Sequence, residues 1–167
     1  MNEHPTTIDL RANPELMDKL TLEITPCFAI YAASNAVMRF YRRALADTGL
    51  TYPQFLVMIV LWETKGTTMR EISERLLLDS STLTPLVKKL ESQGLVTRSR
   101  NREDERLLDV VPTDKGMALR LEGCEAALAM NEKSGETMEG LQELRARLVD
   151  IRRALDTPPG SDPVARD

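Results

Sequence analysis

Between residues 26 and 45, apolar or small side chains recur every three to four positions, at Cys27, Ile30, Tyr31, Ser34, Val37, Met38, Tyr41 and Leu45. This is the period of one helix face, and the helix is expected to end near Gly49. Thr25 and Pro26 before it are a preferred cap and a preferred first helical residue. Leu50-Thr51-Tyr52-Pro53 repeats that start signal, and the segment after it is apolar nearly all round, from Phe55 to Trp62, until Gly66. A helix of that kind belongs at the centre of a fold. Two short helices follow. Thr67 and Thr68 cap the first, which turns Met69, Ile72 and Leu76 to one side. After the turn Leu78-Asp79-Ser80, the second covers about 80–93 and buries Leu83, Leu86, Val87 and Leu90 before Gly94. Pro85 sits near enough to its start to be tolerated. Leu95 to Arg100 and Leu107 to Val111 then read as two strands around the charged loop Asn101–Arg106, the one sheet signal in the chain. Thr113-Asp114-Lys115-Gly116 opens a further helix. From Glu136 to about Leu155 a charged helix carries Met138, Leu141, Leu144, Leu148, Ile151 and Leu155 on one stripe. At the front, residues 1–12 read as frayed and Asn13-Pro14-Glu15 predicts a short helix over 14–21; residues 157–167, rich in proline and glycine, predict a disordered tail.

Two short helices joined by a tight turn and followed at once by a basic hairpin make a winged helix-turn-helix. The fold class expected is therefore mainly α, a winged domain over 52–112 within one domain spanning 1–167. The helices at 14–48 and 115–156 have apolar stripes with no partner in such a domain. They predict a dimerisation region built from both chain ends, and hence a homodimer. Opposite its apolar stripe the second short helix presents Ser81, Thr84, Pro85 and Lys88, with Thr82 and Lys89 on the flanks. Small hydroxyls and lysines on one exposed face suit a recognition helix in a major groove; a solvated helix whose hydroxyls act as caps is the plainer alternative.

Charge sharpens this. The net charge of −4 argues against nucleic acid until its distribution is considered. Residues 65–106 hold nine basic side chains against seven acidic ones, an excess of two, which leaves −6 for the remainder. Arg98, Arg102, Asp104 and Arg106 in the hairpin complete the DNA-facing set, and the expected partner is double-stranded DNA with a pseudo-palindromic site. No apolar run approaches the roughly 18 residues that span a bilayer, and the polar, acidic start is no signal peptide, so a cytoplasmic protein with no membrane partner is expected. Two cysteines 97 positions apart and a single histidine, His4, predict no disulfide framework, no metal and no cofactor.

The candidate chemistry lies in Cys27. At about the second position of its helix it meets free backbone N–H groups and the positive end of the dipole, which favour a thiolate, the form that attacks peroxides. The chain's three tyrosines, Tyr31, Tyr41 and Tyr52, all follow within 25 residues. On a helix of 100° per residue, Tyr31 lies one turn above Cys27 and Tyr41 is offset by about 40° from the same face. A buried free cysteine with aromatic packing is the alternative.

With these elements assembled, the chain resembles the MarR-type regulators over most of its length and, within them, the organic-hydroperoxide-sensing branch, the OhrR repressors. The blocks that carry this are Pro26-Cys27-Phe28-Ala29-Ile30-Tyr31-Ala32-Ala33-Ser34, Leu50-Thr51-Tyr52-Pro53-Gln54-Phe55-Leu56-Val57-Met58 and Leu78-Asp79-Ser80-Ser81-Thr82-Leu83-Thr84-Pro85-Leu86. The hairpin's Asp104-Glu105-Arg106 matches the family's Asp-x-Arg. The resemblance implies that Cys27 is the redox-sensing cysteine, that Tyr41 and Tyr52 of the dimer partner hydrogen-bond it, that Tyr31 supports it, and that Arg106 reaches the minor groove. Branch members that join subunits by a disulfide carry a second cysteine after the wing. Here that stretch reads Met130-Asn131-Glu132-Lys133, and Cys124 lies about two turns earlier. Cys124 is the candidate second thiol, with packing as its alternative; without it a small-molecule thiol or over-oxidation would keep the oxidised state. The function expected is a repressor, not an enzyme, that releases its operator when organic hydroperoxides oxidise Cys27. Two rivals are a repressor relieved by a small phenolic ligand with Cys27 structural, and a thiol peroxidase, for which the chain lacks the βαβ strands.

Overall fold

The computed structural model describes residues 21–157 and the single positions 11, 13, 14, 17 and 19. Half of the helix expected over 14–21, at positions 15, 16, 18 and 20, and the tail after Thr157 lie outside the described residues. The described helices are α1 (Pro26–Ala44), α2 (Tyr52–Thr64), α3 (Met69–Leu76), α4 (Ser80–Ser92), α5 (Asp114–Ala118), α6 (Arg120–Ser134) and α7 (Met138–Asp156). A 3-10 turn, Ala46–Thr48, follows α1. No described helix is long and apolar enough to cross a membrane.

The apolar segment after Thr51 does become the central helix. Phe55, Val57, Met58, Val60, Leu61 and Trp62 of α2 are all buried, and around them close Ile72 of α3, Leu83, Val87 and Leu90 of α4, and Leu95, Val96 and Val110 of the sheet region. Each such side chain contributes about 1.5–3 kcal/mol by leaving water. The start of α2 is fixed locally: the Thr51 N–H donates to Gln54 Oε1 at 2.9 Å. At its end Lys65 takes a left-handed conformation at φ 58°, and Gly66 follows at φ 124°, so the chain reverses directly into the sheet.

The hairpin strands are β2 (Val96–Arg100) and β3 (Leu108–Pro112), antiparallel in the register Val96 with Pro112 to Arg100 with Leu108. The sheet has a third strand that the sequence pattern did not disclose. β1, Thr67–Thr68, pairs with Val110 and Asp109 on the other side of β3, giving the order β1-β3-β2. Two residues are too few for an alternation to show.

Beyond the sheet, α5 and α6 return across α2 with little clearance. A Cβ on Gly116 would stand 2.0 Å from the Leu95 carbonyl oxygen, and one on Gly123 would stand 2.7 Å from the Trp62 ring. The same approach brings Trp62 Nε1 within 2.9 Å of the Gly116 carbonyl, to which it donates. Gly116 and Gly123 thus set how closely the α6 arm packs on the central helix.

The two arms behave differently from the winged domain. In α1 the expected single face divides in two. Tyr41 and Leu45 are buried and Val37 and Phe40 pack against the core, whereas Cys27, Ile30, Tyr31, Ser34 and Met38 are exposed. The first half of α1 therefore projects beyond the core. No residue of α7 is buried; of its stripe Leu141 is half-buried and Met138, Leu144, Leu148, Ile151 and Leu155 are exposed.

Candidate functional site

The turn before α4 is built on Asp79. Its carboxylate accepts the Thr82 N–H at 2.7 Å and the Ser81 and Thr82 hydroxyls at 2.5 and 3.1 Å, which holds the carboxyl below the usual range. Thr84 donates its hydroxyl to the Ser80 carbonyl at 2.6 Å. The hydroxyl protons of Ser81, Thr82 and Thr84 are thus engaged inside the helix start, although the cap itself is Asp79 and not these hydroxyls. Their oxygens remain open as acceptors. Ser81, Thr82, Pro85, Lys88 and Lys89 are exposed, opposite buried Leu83, Val87 and Leu90. The turn itself depends on Leu77 in a left-handed conformation at φ 56°, with Ser73 taking up the chain beyond it: the Leu78 N–H donates to the Ser73 carbonyl at 3.0 Å.

In the wing loop the side chain of Asn101 organises the backbone. Its Oδ1 accepts the Glu103 and Asp104 N–H groups at 2.9 and 3.0 Å, and its Nδ2 donates to both Asp109 carboxylate oxygens, at 2.9 and 3.1 Å. Asp104 Oδ1 then accepts the Arg106 N–H at 3.0 Å, while the Leu107 N–H donates to the Asp104 carbonyl at 2.9 Å. Asp104, expected to face DNA, is exposed and shapes the turn that carries Arg106. Arg102 and Arg106 are exposed, and Arg106 borders a cleft of about 420 Å³ between the wing, α3 and α4. Arg98, also expected to face DNA, is half-buried against α4: its Nε and Nη2 both donate to Glu91 Oε2, at 2.9 and 2.5 Å. That hydrogen bond holds the Glu91 carboxyl below its usual range, and the Arg98 charge is spent on fixing the hairpin to α4. Neither Asn101 nor Glu91 stood out in the sequence. An Asn-x-x-Asp turn signal could have revealed the first, but nothing periodic links Glu91 to Arg98.

At the other end of the molecule, Cys27 is the second residue of α1 and is exposed. Thr25 does not cap the helix with its hydroxyl, which donates instead to the Thr21 carbonyl at 2.7 Å. Pro26 has no N–H and the Phe28 N–H donates to the Thr25 carbonyl at 3.0 Å, so within this first turn the missing side-chain cap bears on the Cys27 N–H. Tyr31 is 64% exposed. Tyr41 and Tyr52 come together elsewhere, stacked at 4.5 Å between ring centroids with 24° between planes, and Tyr41 lies 5.4 Å from Phe55. Burial raises the pKa of both phenols, with their mutual repulsion adding to Tyr41, so both stay protonated and able to donate. Among the described residues neither hydroxyl has a hydrogen-bond partner. About 21 Å of helix axis separates Cys27 from Tyr41 of the same chain, so the protomer brings the phenols together but not the thiol to them. Cys124 is exposed on α6, beside a cavity of about 240 Å³ that also touches Trp62 and Arg120.

Comparison with known proteins bears on this arrangement. Residues 50–108, the recognition helix and most of the wing included, match the sequence model of the MarR family. Over 144 residues the chain is 43% identical to the HTH-type transcriptional regulator TtmR of Methylorubrum extorquens, covering 86% of this chain and 74% of that one. The chain belongs to the MarR family. It is also 36% identical over 136 residues to the organic hydroperoxide resistance transcriptional regulator of Bacillus subtilis, covering 80% and 92% of the two chains. Among solved structures it is similar to reduced AbfR bound to DNA, with a TM-score of 0.70, 32% identity, and coverage of 87% of this chain and 99% of that one. As a MarR-family member the protein is a DNA-binding regulator of transcription and not an enzyme, and its winged helix-turn-helix comprises α3, α4, β2 and β3.

Proposed function

We propose that the protein is a homodimeric repressor that leaves its operator when Cys27 is oxidised by an organic hydroperoxide. The observation that carries this reading is the accessible thiol at the uncapped start of α1, in a chain that also holds a pair of stacked phenols with unused hydroxyls. The similarity to the Bacillus subtilis hydroperoxide-resistance regulator supports it. A second copy would bring its Cys27 to Tyr41 and Tyr52, and its apolar α7 to the bare faces of α1 and α6. Hydrogen bonds from the phenols and the helix start would then favour the thiolate. Oxidation replaces that anion with a neutral sulfenic acid. A disulfide, through Cys124 or a small-molecule thiol, adds bulk. Either change shifts α1 against the partner and alters the spacing of two recognition helices that must sit about 34 Å apart on the operator. On the DNA, Ser81, Thr82, Thr84, Pro85, Lys88 and Lys89 face the major groove, and Arg102 and Arg106 reach from the wing.

A second reading, release by a small aromatic or phenolic acid, is favoured by one feature. A groove of about 410 Å³ between α1 and α6 has Val37, Phe40 and Met130 along its floor and Arg39, Arg43 and Lys133 at its rim. Operator retention after cumene hydroperoxide separates the two. Cys27→Ser should bind operator like the parent and stay bound, while Cys124→Ser should still undergo the first oxidation. A Cys27→Ser protein that dissociates on peroxide treatment returns the function to the ligand reading.

A further inference from the structure

A cavity of about 330 Å³ opens where α1 ends against the start of α2, lined by Met38, Arg42, Leu50, Thr51, Tyr52 and Pro53. Its walls are apolar except for the Tyr52 phenol, the Thr51 side chain and the Arg42 guanidinium. No carboxylate lines it among the described residues, and Arg42 takes part in none of the ion pairs there. Asp47, on the neighbouring 3-10 turn, is exposed and does not border it. Arg39 and Arg43, the nearest other cations of α1, line the opposite groove, against α6. A lone guanidinium over an apolar pocket with a donating phenol beside it is a site built for a small anion with an organic neighbour.

We infer that Arg42 of one protomer is the counter-charge of the Cys27 thiolate of a second copy. This rests on the redox reading above and adds a residue to it. Cys27 and Arg42 lie fifteen positions apart on α1, about 22 Å along its axis, so one helix cannot bring them together. A two-fold arrangement that sets the start of one α1 at the end of the other brings both pairs together at once, because an isologous contact is reciprocal. Exposed Phe28 and Ile30 beside Cys27 can meet Met38, Leu50 and Pro53, and the thiolate then faces Tyr52 and Arg42. In the reaction the thiolate sulfur attacks the terminal oxygen of the hydroperoxide, a S–O bond forms and the O–O bond breaks. Sulfur loses two electrons to become a sulfenic acid, the peroxide gains them, and the departing alkoxide takes a proton from water. Arg42 faces the negative charge throughout, first on sulfur and then on the alkoxide. It is a positioning residue for the thiolate.

The test follows alkylation of Cys27 by iodoacetamide as a function of pH in the full-length dimer, quantified on the Cys27 peptide so that Cys124 does not interfere. Arg42→Gln should raise the pH midpoint by about one unit, the low end of what an adjacent opposite charge produces, and slow oxidation by cumene hydroperoxide at neutral pH several-fold. Arg42→Lys should restore most of both. An Arg42→Gln dimer with the parent's midpoint overturns the inference. Should that variant not assemble, the parent alone decides: its midpoint should rise with ionic strength as the pair is screened, and a midpoint indifferent to salt also overturns it. The redox reading is judged separately by Cys27→Ser, which fails it only if that variant still releases operator on peroxide treatment.

Discussion

Asp79 shows how one side chain can fix the start of a helix. Three donors hold its carboxylate, so its folded pKa lies below the unfolded value of about 3.9. A depressed carboxylate contributes stability that is complete above the unfolded pKa and is lost as pH falls through the folded one. Asp79→Asn keeps a capping oxygen but cannot titrate, so its thermal midpoint should fall less steeply than the parent's below roughly pH 4; parallel curves would remove Asp79 from the acid response. Arg106 is the counterpart in the proposed DNA contact. Exposed and held out by the Asp104 turn, it should weaken operator binding by about 1–3 kcal/mol when changed to alanine, measured by anisotropy at physiological salt, while Lys88→Ala should mainly lower the salt slope by about one. Unchanged affinity for Arg106→Ala would place the wing off the DNA. At this scale residue types were legible but not always their uses. A small hydroxyl at a helix start suits a cap and a groove contact equally well, and the structure gives the cap to Asp79, with Ser81 and Thr82 donating to its carboxylate and Thr84 to the Ser80 carbonyl. Arg98 looked free because its partner Glu91 lies on another element, seven residues away.

At the scale of elements, periodicity carried most of the fold. The unbroken apolar run from Phe55 to Trp62 marked α2 as central, and Thr113 correctly opened the return helix. The strand β1 was hidden by its length, and the double character of α1 was hidden because a face packed on its own core and a face reserved for something else have the same sequence pattern. Contacts between elements were also out of reach of the pattern. Gly116 read as an ordinary start of a helix, yet it is the point where α5 crosses the chain at Leu95. Gly116→Ala should cost about 3 kcal/mol in urea unfolding, because the obstacle is backbone, whereas Gly123→Ala should cost less, about 2 kcal/mol, because its obstacles are the side-chain rings of Trp62 and Phe55. Equal midpoints for the two variants would mean that α5 and α6 yield together.

For the whole molecule, the arms hold the uncovered apolar surface. Phe28, Ile30, Tyr31 and Met38 of α1, Leu121 and Leu128 of α6 and Met138, Leu144, Leu148, Ile151 and Leu155 of α7 are all exposed in the protomer, while the winged domain between them is well filled. Surface of this extent on helices from both ends calls for a second copy, and the phenols and thiol that the protomer keeps apart fit the same arrangement. That coupling of assembly, thiol chemistry and DNA spacing is the central claim. It is tested most directly by adding cumene hydroperoxide in steps to the operator complex and reading, on the same samples, operator release by anisotropy and oxidation at Cys27 by mass spectrometry. Release should rise in proportion to the fraction of Cys27 that has gained one oxygen or a disulfide. Operator that leaves while Cys27 remains reduced, or that stays bound when Cys27 is fully oxidised, would contradict the account.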